Sequence, residues 1–173
     1  MQSSSNIVST VNFFTKFTSS EQFDKVFKEG MSLVEETANY LDGPGRVDAR
    51  TLDRHGAIAY ATESMRLTTR LMQLASWLLL QRAIGAGELT EADASKENHR
   101  ISLADIGKGH DLAGSENLPE DLMTLINRSL ALHERIYKLD RMITVQISES
   151  EAGPGPVNEQ LDHLASMLKV SRG

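Results

Sequence analysis

Five histidines, His55, His99, His110, His133 and His163, and no cysteine are what this chain offers for metal binding or covalent catalysis. A zinc site needs ligands at recurring short spacings, such as two histidines one helical turn apart, and none of the five is so placed. His133 beside Glu134 reads as a polar pair on a helix face. Without cysteine there is no disulfide, thiolate ligand or thiol nucleophile, which suits a reducing cytosol. The runs GAGE at 85–88 and GKGH at 107–110 lack the strand-then-helix frame of a phosphate loop and read as turns. No catalytic, cofactor-binding or metal-ligating residue is assigned, and no cofactor is expected.

One histidine fits a different chemistry. Helical phosphotransfer domains present a histidine on a bundle helix, and His55 in DRHGAIAYATESM could stand there. It lacks the lysine–glycine that usually follows, so the plainer reading is a surface or edge histidine.

Charge says more about binding. Among 173 residues the net charge is −6, which excludes the strongly basic profile of a general nucleic-acid binder. Within that acidic total the region 46–84 is basic: Arg46, Arg50, Arg54, Arg66, Arg70 and Arg82 outnumber Asp48, Asp53 and Glu63. Pairing between helices of one protein explains this, and so does a basic rim, with Arg66 and Arg70 one turn apart, that receives an acidic partner. A membrane span is excluded for the most apolar stretch, 63–84. Its charge-free window from Arg70 to Arg82 is 11 residues, roughly 16 Å of helix against a hydrocarbon core of about 30 Å. The first residues carry neither the basic start nor the apolar run of a signal peptide.

Three long helical patterns position these residues. The first covers about 20–41, with Ser19 and Gln22 as a capping box and Phe23, Val26, Phe27, Leu33, Val34, Ala38 and Leu41 at helical spacing; DGPG at 42–45 ends it. The second is expected over 48–84. Ala57, Tyr60, Ser64, Leu67, Leu71, Leu74 and Leu78 form one apolar row. Ile58, Ala61, Met65, Thr68, Met72, Ala75 and Leu79 form another, one position on. Two adjacent rows exceed what one helix–helix seam requires, so this helix is expected to be covered on more than one side. The third covers about 118–147, with Pro119 in its first turn and a seam through Leu118, Leu122, Leu125, Ser129, Leu132, Ile136, Leu139 and Ile143 that Ile126, Leu130 and Tyr137 widen. No segment alternates for long enough to be a strand. The expected fold is all-α: a three-helix bundle with a long helix 2–helix 3 connection and a flexible C-terminal tail.

The expected layout is an N-terminal arm, 1–18, a bundle, 19–147, and a tail, 148–173. The bundle includes the connection, 85–117, whose polar composition and length mark it as functional or mobile. Ile101, Leu103 and Ile106 are its apolar points of attachment and candidates for partner binding. The tail opens on the linker-like SESEAGPGP and continues as a short amphipathic helix with Leu161, Leu164 and Leu168 on one face. That helix docks either on its own bundle or on a partner. Phe13, Phe14, Phe17, Met65, Met72, Trp77 and Leu79 are candidates for core or dimer packing.

The stretches EGMSLVEETANYLDG (29–43), YLDGPGR (40–46) and YATESMRLTTRLMQLASWLLLQRAIGAGE (60–88) carry a specific likeness. The sequence resembles the regulator of CtrA degradation (RcdA) family of alphaproteobacteria, closely in its first half and by layout in its second. The resemblance implies a three-helix bundle that forms a homodimer and acts as an adaptor rather than an enzyme. It implies work with the ATP-dependent protease ClpXP, primed by the response-regulator-like adaptor CpdR, and tethering of cargo, either substrates or a further adaptor, PopA, that carries the cell-cycle regulator CtrA. The family's tail is expected to be flexible and needed for activity. No nucleic acid or membrane is expected as a partner, and the expected location is the cytoplasm, with partners recruiting the protein to the cell pole. Two other readings remain open: a structural helical dimerisation module without a protease role, and phosphotransfer through His55.

Overall fold

The computed structural model describes residues 15–89 and 112–151, with Asp93, Lys96, Glu97, Ile101 and Leu103 between them; side chains are described as far as Val145. No strand occurs among the described residues. The elements are α1 (Glu21–Asp42), α2 (Pro44–Thr51), α3 (Arg54–Gly85), a 3₁₀ turn (Ser115–Asn117) and α4 (Glu120–Glu151). The architecture is the all-helical bundle that the apolar periodicities predict.

Local chemistry sets the boundaries. The cap of α1 is Ser20 rather than Ser19: its Oγ accepts from the Phe23 N–H at 3.2 Å and donates to the Phe17 carbonyl at 2.6 Å. Ser19 is occupied elsewhere, because Thr15–Thr18 already form a helical turn and Ser19 closes it, its N–H on the Thr15 carbonyl. Gly43 ends α1 as expected, and Pro44 opens α2 at once, with no N–H to leave unsatisfied.

The second helical pattern is two helices, not one. Leu52 and Asp53 are extended, and the Asp53 carboxylate accepts from the Gly56 N–H at 2.7 Å, which makes it the cap of α3. A short side chain able to bond the backbone N–H groups ahead of it favours a helix start over a helix interior. Tyr40, at the end of α1, donates to Asp48 Oδ2 at 2.9 Å and so holds α2 against the bundle. Helix α4 starts after Pro119 and runs four residues past its expected end, to Glu151.

Cross-helix contacts fix the directions. Glu36 pairs with Arg128 and Glu29 with Arg135, so α1 and α4 are antiparallel. Arg82 lies over the Phe27 ring and Gly30 meets Leu78, so α1 and α3 are antiparallel too. Arg70 binds Ser129 and Trp77 binds Asp140, which makes α3 and α4 parallel.

Two parallel neighbours in a bundle require a return path. Helix α3 has 32 residues, about 48 Å of rise, and the chain must cover that distance before α4 begins. The length of the connection thus has a topological reason. Leu103 is 4% exposed and joins the core, with Ile101 packed against it. The Leu103 carbonyl accepts from His133 Nε2 at 2.7 Å. Further along, Gly114 at φ 93° lies over the backbone of His55 and Gly56, where a Cβ would come within 2.6 Å of the His55 carbonyl carbon. Glycine alone meets both the left-handed backbone and the close approach.

The core joins Phe23, Val26 and Leu33 of α1 to Leu67, Leu71, Leu74 and Leu78 of α3 and Leu122, Leu132 and Ile136 of α4. Gly30 marks a close approach of α1 to α3: a Cβ there would stand 2.6 Å from Leu78 Cδ1. Gly30→Ala gains about 1 kcal/mol of helix propensity but overpacks a full core, at about 1–3 kcal/mol. Net destabilisation is expected in urea unfolding, and Leu78→Val combined with Gly30→Ala should restore part of the loss. Independent, additive effects would show that the two side chains do not meet.

Candidate protein-interaction surface

Helix α3 positions the candidate surface because it carries two apolar rows and the bundle covers one. Leu67, Leu71, Leu74 and Leu78 face inward and are buried. Ile58, Met65, Met72 and Leu79 face outward, each more than half exposed, Met65 at 72%. These four recur every seven residues, with Ala61, Thr68 and Ala75 between them, as the spacing of a helix–helix seam requires. Large exposed apolar residues scattered singly are ordinary, whereas a continuous line of them marks an interaction site.

The polar residues beside the line reinforce its apolar character. Thr62 Oγ1 donates to the Ile58 carbonyl, Thr68 Oγ1 to Ser64 and Ser76 Oγ to Met72, all at 2.8–2.9 Å. Hydroxyls bonded back onto their own helix have less to lose when water leaves. The charged residues of α3 between Arg54 and Arg82 are Glu63, Arg66 and Arg70, and none stands on this face. Glu63 and Arg66 pair with each other at 2.6 Å, and both side chains are largely covered.

The basic rim expected from Arg66 and Arg70 does not form. Arg70 is 1% exposed and donates to Ser129 Oγ at 2.7 Å, while Ser129 in turn donates to the Ile126 carbonyl. Burial pulls the guanidinium pKa of Arg70 below its ordinary value, with the Glu63 carboxylate acting against that shift and Arg66 with it. Periodicity could have placed Arg70 inside, since it lies three residues after Leu67 and four before Leu74; its charge argued the other way. Trp77 is also a core residue, its Nε1 donating to Asp140 at 2.8 Å.

The other expected residues divide. Met65, Met72 and Leu79 lie together on the exposed line, which Ile58 extends by one heptad. Leu103 and Ile101 are taken up by the bundle, so the connection does not offer them to a partner. Phe17 packs edge-on against Phe23 at 5.3 Å and covers the bundle's end. Phe13, Phe14, Ile106, Leu161, Leu164 and Leu168 lie outside the described residues, as does the expected tail helix. Leu130, expected to widen the α4 seam, is on the surface, and Met142 and Val145 near the end of α4 are exposed as well.

Among the described residues, no group of three or more His, Cys, Asp or Glu side chains is placed to hold a metal ion. No helix among them is long and apolar enough to cross a membrane. His55 is exposed in the first turn of α3, and His133 is half-buried, stacked on Tyr137 and bonded to Leu103.

Arg66 and Arg70 provide a direct check on this placement. Arg70→Ala empties a buried site and takes away the donor to Ser129 Oγ, so it is expected to cost about 2–5 kcal/mol in urea unfolding. Arg66→Ala removes a helix-face ion pair and should cost under about 1 kcal/mol. Equal and small effects would return Arg70 to the surface.

Comparison with known proteins places this bundle. Residues 14–168 match the model of a family described as "Protein of unknown function (DUF1465)". No curated protein matches the chain. Among solved structures it is similar to RcdA from Caulobacter crescentus CB15, with 50% sequence identity over 75% of this chain and 96% of that one, at a TM-score of 0.61. The likeness read from YLDGPGR and the α3 sequence is therefore matched by a solved structure across almost its whole length, and the chain belongs to the RcdA (DUF1465) family.

Proposed function

We propose that this protein is a non-enzymatic adaptor in regulated proteolysis. In this reading it tethers cargo, either substrates or a second adaptor, to a ClpXP protease already primed by a response-regulator-like adaptor, and so promotes turnover of cell-cycle regulators such as CtrA. The observation that carries the proposal is a charge-free apolar line along an exposed helix, in a chain 50% identical to RcdA. The chemistry such a face supports is association with another protein. The line serves homodimerisation, through Ile58, Met65, Met72 and Leu79.

Tethering raises the effective concentration of cargo near the protease without new chemistry. The segment beyond Glu151 begins AGPGP, a composition suited to a spacer, and Leu161, Leu164 and Leu168 beyond it have the spacing of helix-in-groove anchors. Cargo contacts belong on that segment. The working location is the cytoplasm, with the cell pole reached through partners.

The test is reconstituted degradation of CtrA-type cargo by primed ClpXP, comparing no adaptor, the full chain and residues 1–151, an end point that keeps α4 whole. The full chain should accelerate degradation and the shortened one should not. Acceleration by both would move cargo binding onto the bundle. Acceleration by neither would leave a dimerisation module without a protease role.

A further inference from the structure

We infer that residues 157–168 fold back as a helix on the outward face of α4, and that this contact withholds the tail's anchors until cargo displaces it. The second clause rests on the adaptor reading above; the first stands on length, register and exposure. Helix α4 ends at Glu151. The next five residues are AGPGP, 152–156, and an apolar-periodic run follows with Val157, Leu161, Leu164 and Leu168 on one side. Pro154 and Pro156 cannot extend α4, while Gly153 and Gly155 accept the backbone angles of a reversal. Five residues lie within the usual span of a connection between neighbouring antiparallel helices. Pro156 falls where the first turn of a new helix tolerates proline.

The spacings on the two sides agree. Lys138, Met142 and Val145 share an outward face of α4, with Met142 66% exposed and Val145 51%. Their steps are four and three residues, and those of Leu161, Leu164 and Leu168 are three and four. An antiparallel helix reverses that order, so Leu161 meets Val145, Leu164 meets Met142 and Leu168 meets Lys138 in a single register. All three pairs have residue 153 as their midpoint, inside AGPGP. The register chosen by the apolar pattern thus puts the turn where the glycines and prolines already stand. Lys138 is no obstacle: its ammonium bonds Glu134 at 2.8 Å, and its alkyl stem is left to cover Leu168. Asn158, Gln160, Ala165 and Met167 flank the anchors, and none is charged. A helix of about 12 residues is marginal in water by itself and needs such a surface. With two large apolar side chains on the α4 side the contact is shallow, which suits an occupant that must leave when cargo arrives.

A chain without cysteine allows the contact to be trapped. Three double variants are made in the full protein: Val145→Cys/Leu161→Cys, Met142→Cys/Leu164→Cys and, as a control, Met142→Cys/His163→Cys. Position 163 stands on a different side of the tail helix from the anchors. Disulfide formation is timed in a glutathione buffer, and gel mobility without reductant separates bridges within one chain from bridges between chains. The two facing pairs should close about tenfold faster than the control, because docking raises their effective concentration. Equal rates for all three would overturn the docked tail, since a free linker brings every position within reach alike. Bridges mainly between chains would overturn it as well, by placing the tail on a second copy. The Met142 methyl resonance gives a check without cysteines: Leu161→Ser/Leu164→Ser should shift it, and an unmoved signal would count against docking. Masking of the anchors is read separately, in the degradation assay. The oxidised Val145→Cys/Leu161→Cys protein should fail to accelerate degradation and its reduced form should succeed; equal acceleration by both would overturn the masking. Failure of the native chain in that assay falls on the adaptor reading and leaves the disulfide rates to decide the docking.

Discussion

Helices α3 and α4 run parallel, and much of the remaining architecture accommodates that constraint. Two polar bonds between them, Arg70 to Ser129 and Trp77 to Asp140, set the direction and register of the pair. Apolar packing alone would tolerate a slip of one helical turn; a buried guanidinium would then lose its acceptor, and such losses are costly. Parallel packing also rules out a short hairpin between the two helices. The chain must return along the bundle, and it does so by burying Leu103, accepting a bond from His133 and laying Gly114 across the start of α3.

That return path changes what the connection signifies. A long polar segment between helices invites assignment as a binding loop, and Ile101 and Leu103 look like its recognition residues. Both are drawn into the bundle. Among the described residues, the outer face of α3 carries a line of large exposed apolar side chains, Ile58, Met65, Met72 and Leu79. A helix buried on one face and exposed on the other holds its outward side chains on backbone that is already fixed, which lowers the entropic cost of association.

Electrostatics in this protein are chiefly internal and lateral. Arg128 with Glu36 and Arg135 with Glu29 clamp α4 to α1 across half-exposed positions. The hydrogen bond from Arg128 holds the Glu36 carboxyl below its usual pKa, with Ser32 adding to the effect. A carboxyl depressed in this way contributes stability above its unfolded pKa and loses it as pH falls through the folded one, so this clamp weakens on the acid side. The α3 line takes no part in these pairs, and its independence from charge suits it to approach another acidic molecule.

The sequence alone determined the helical class, the three principal apolar patterns, the stop at Gly43 and the presence of two apolar rows on α3, because helical periodicity and turn chemistry depend on residues a few positions apart. It also made the family legible, through contiguous strings such as YLDGPGR. The Asp53 cap was readable in principle, as a short acidic residue before an apolar-periodic run, but the pattern on either side hid the break. Tertiary structure alone decided which α3 row faces inward, that Arg70 lies inside while its neighbour Arg66 pairs locally, and that Leu103 belongs to the core. Each of these depends on which helix is opposite and in which direction it runs, and that depends on contacts between residues as far apart as Arg70 and Ser129. No local pattern encodes the pairing; packing the whole bundle does.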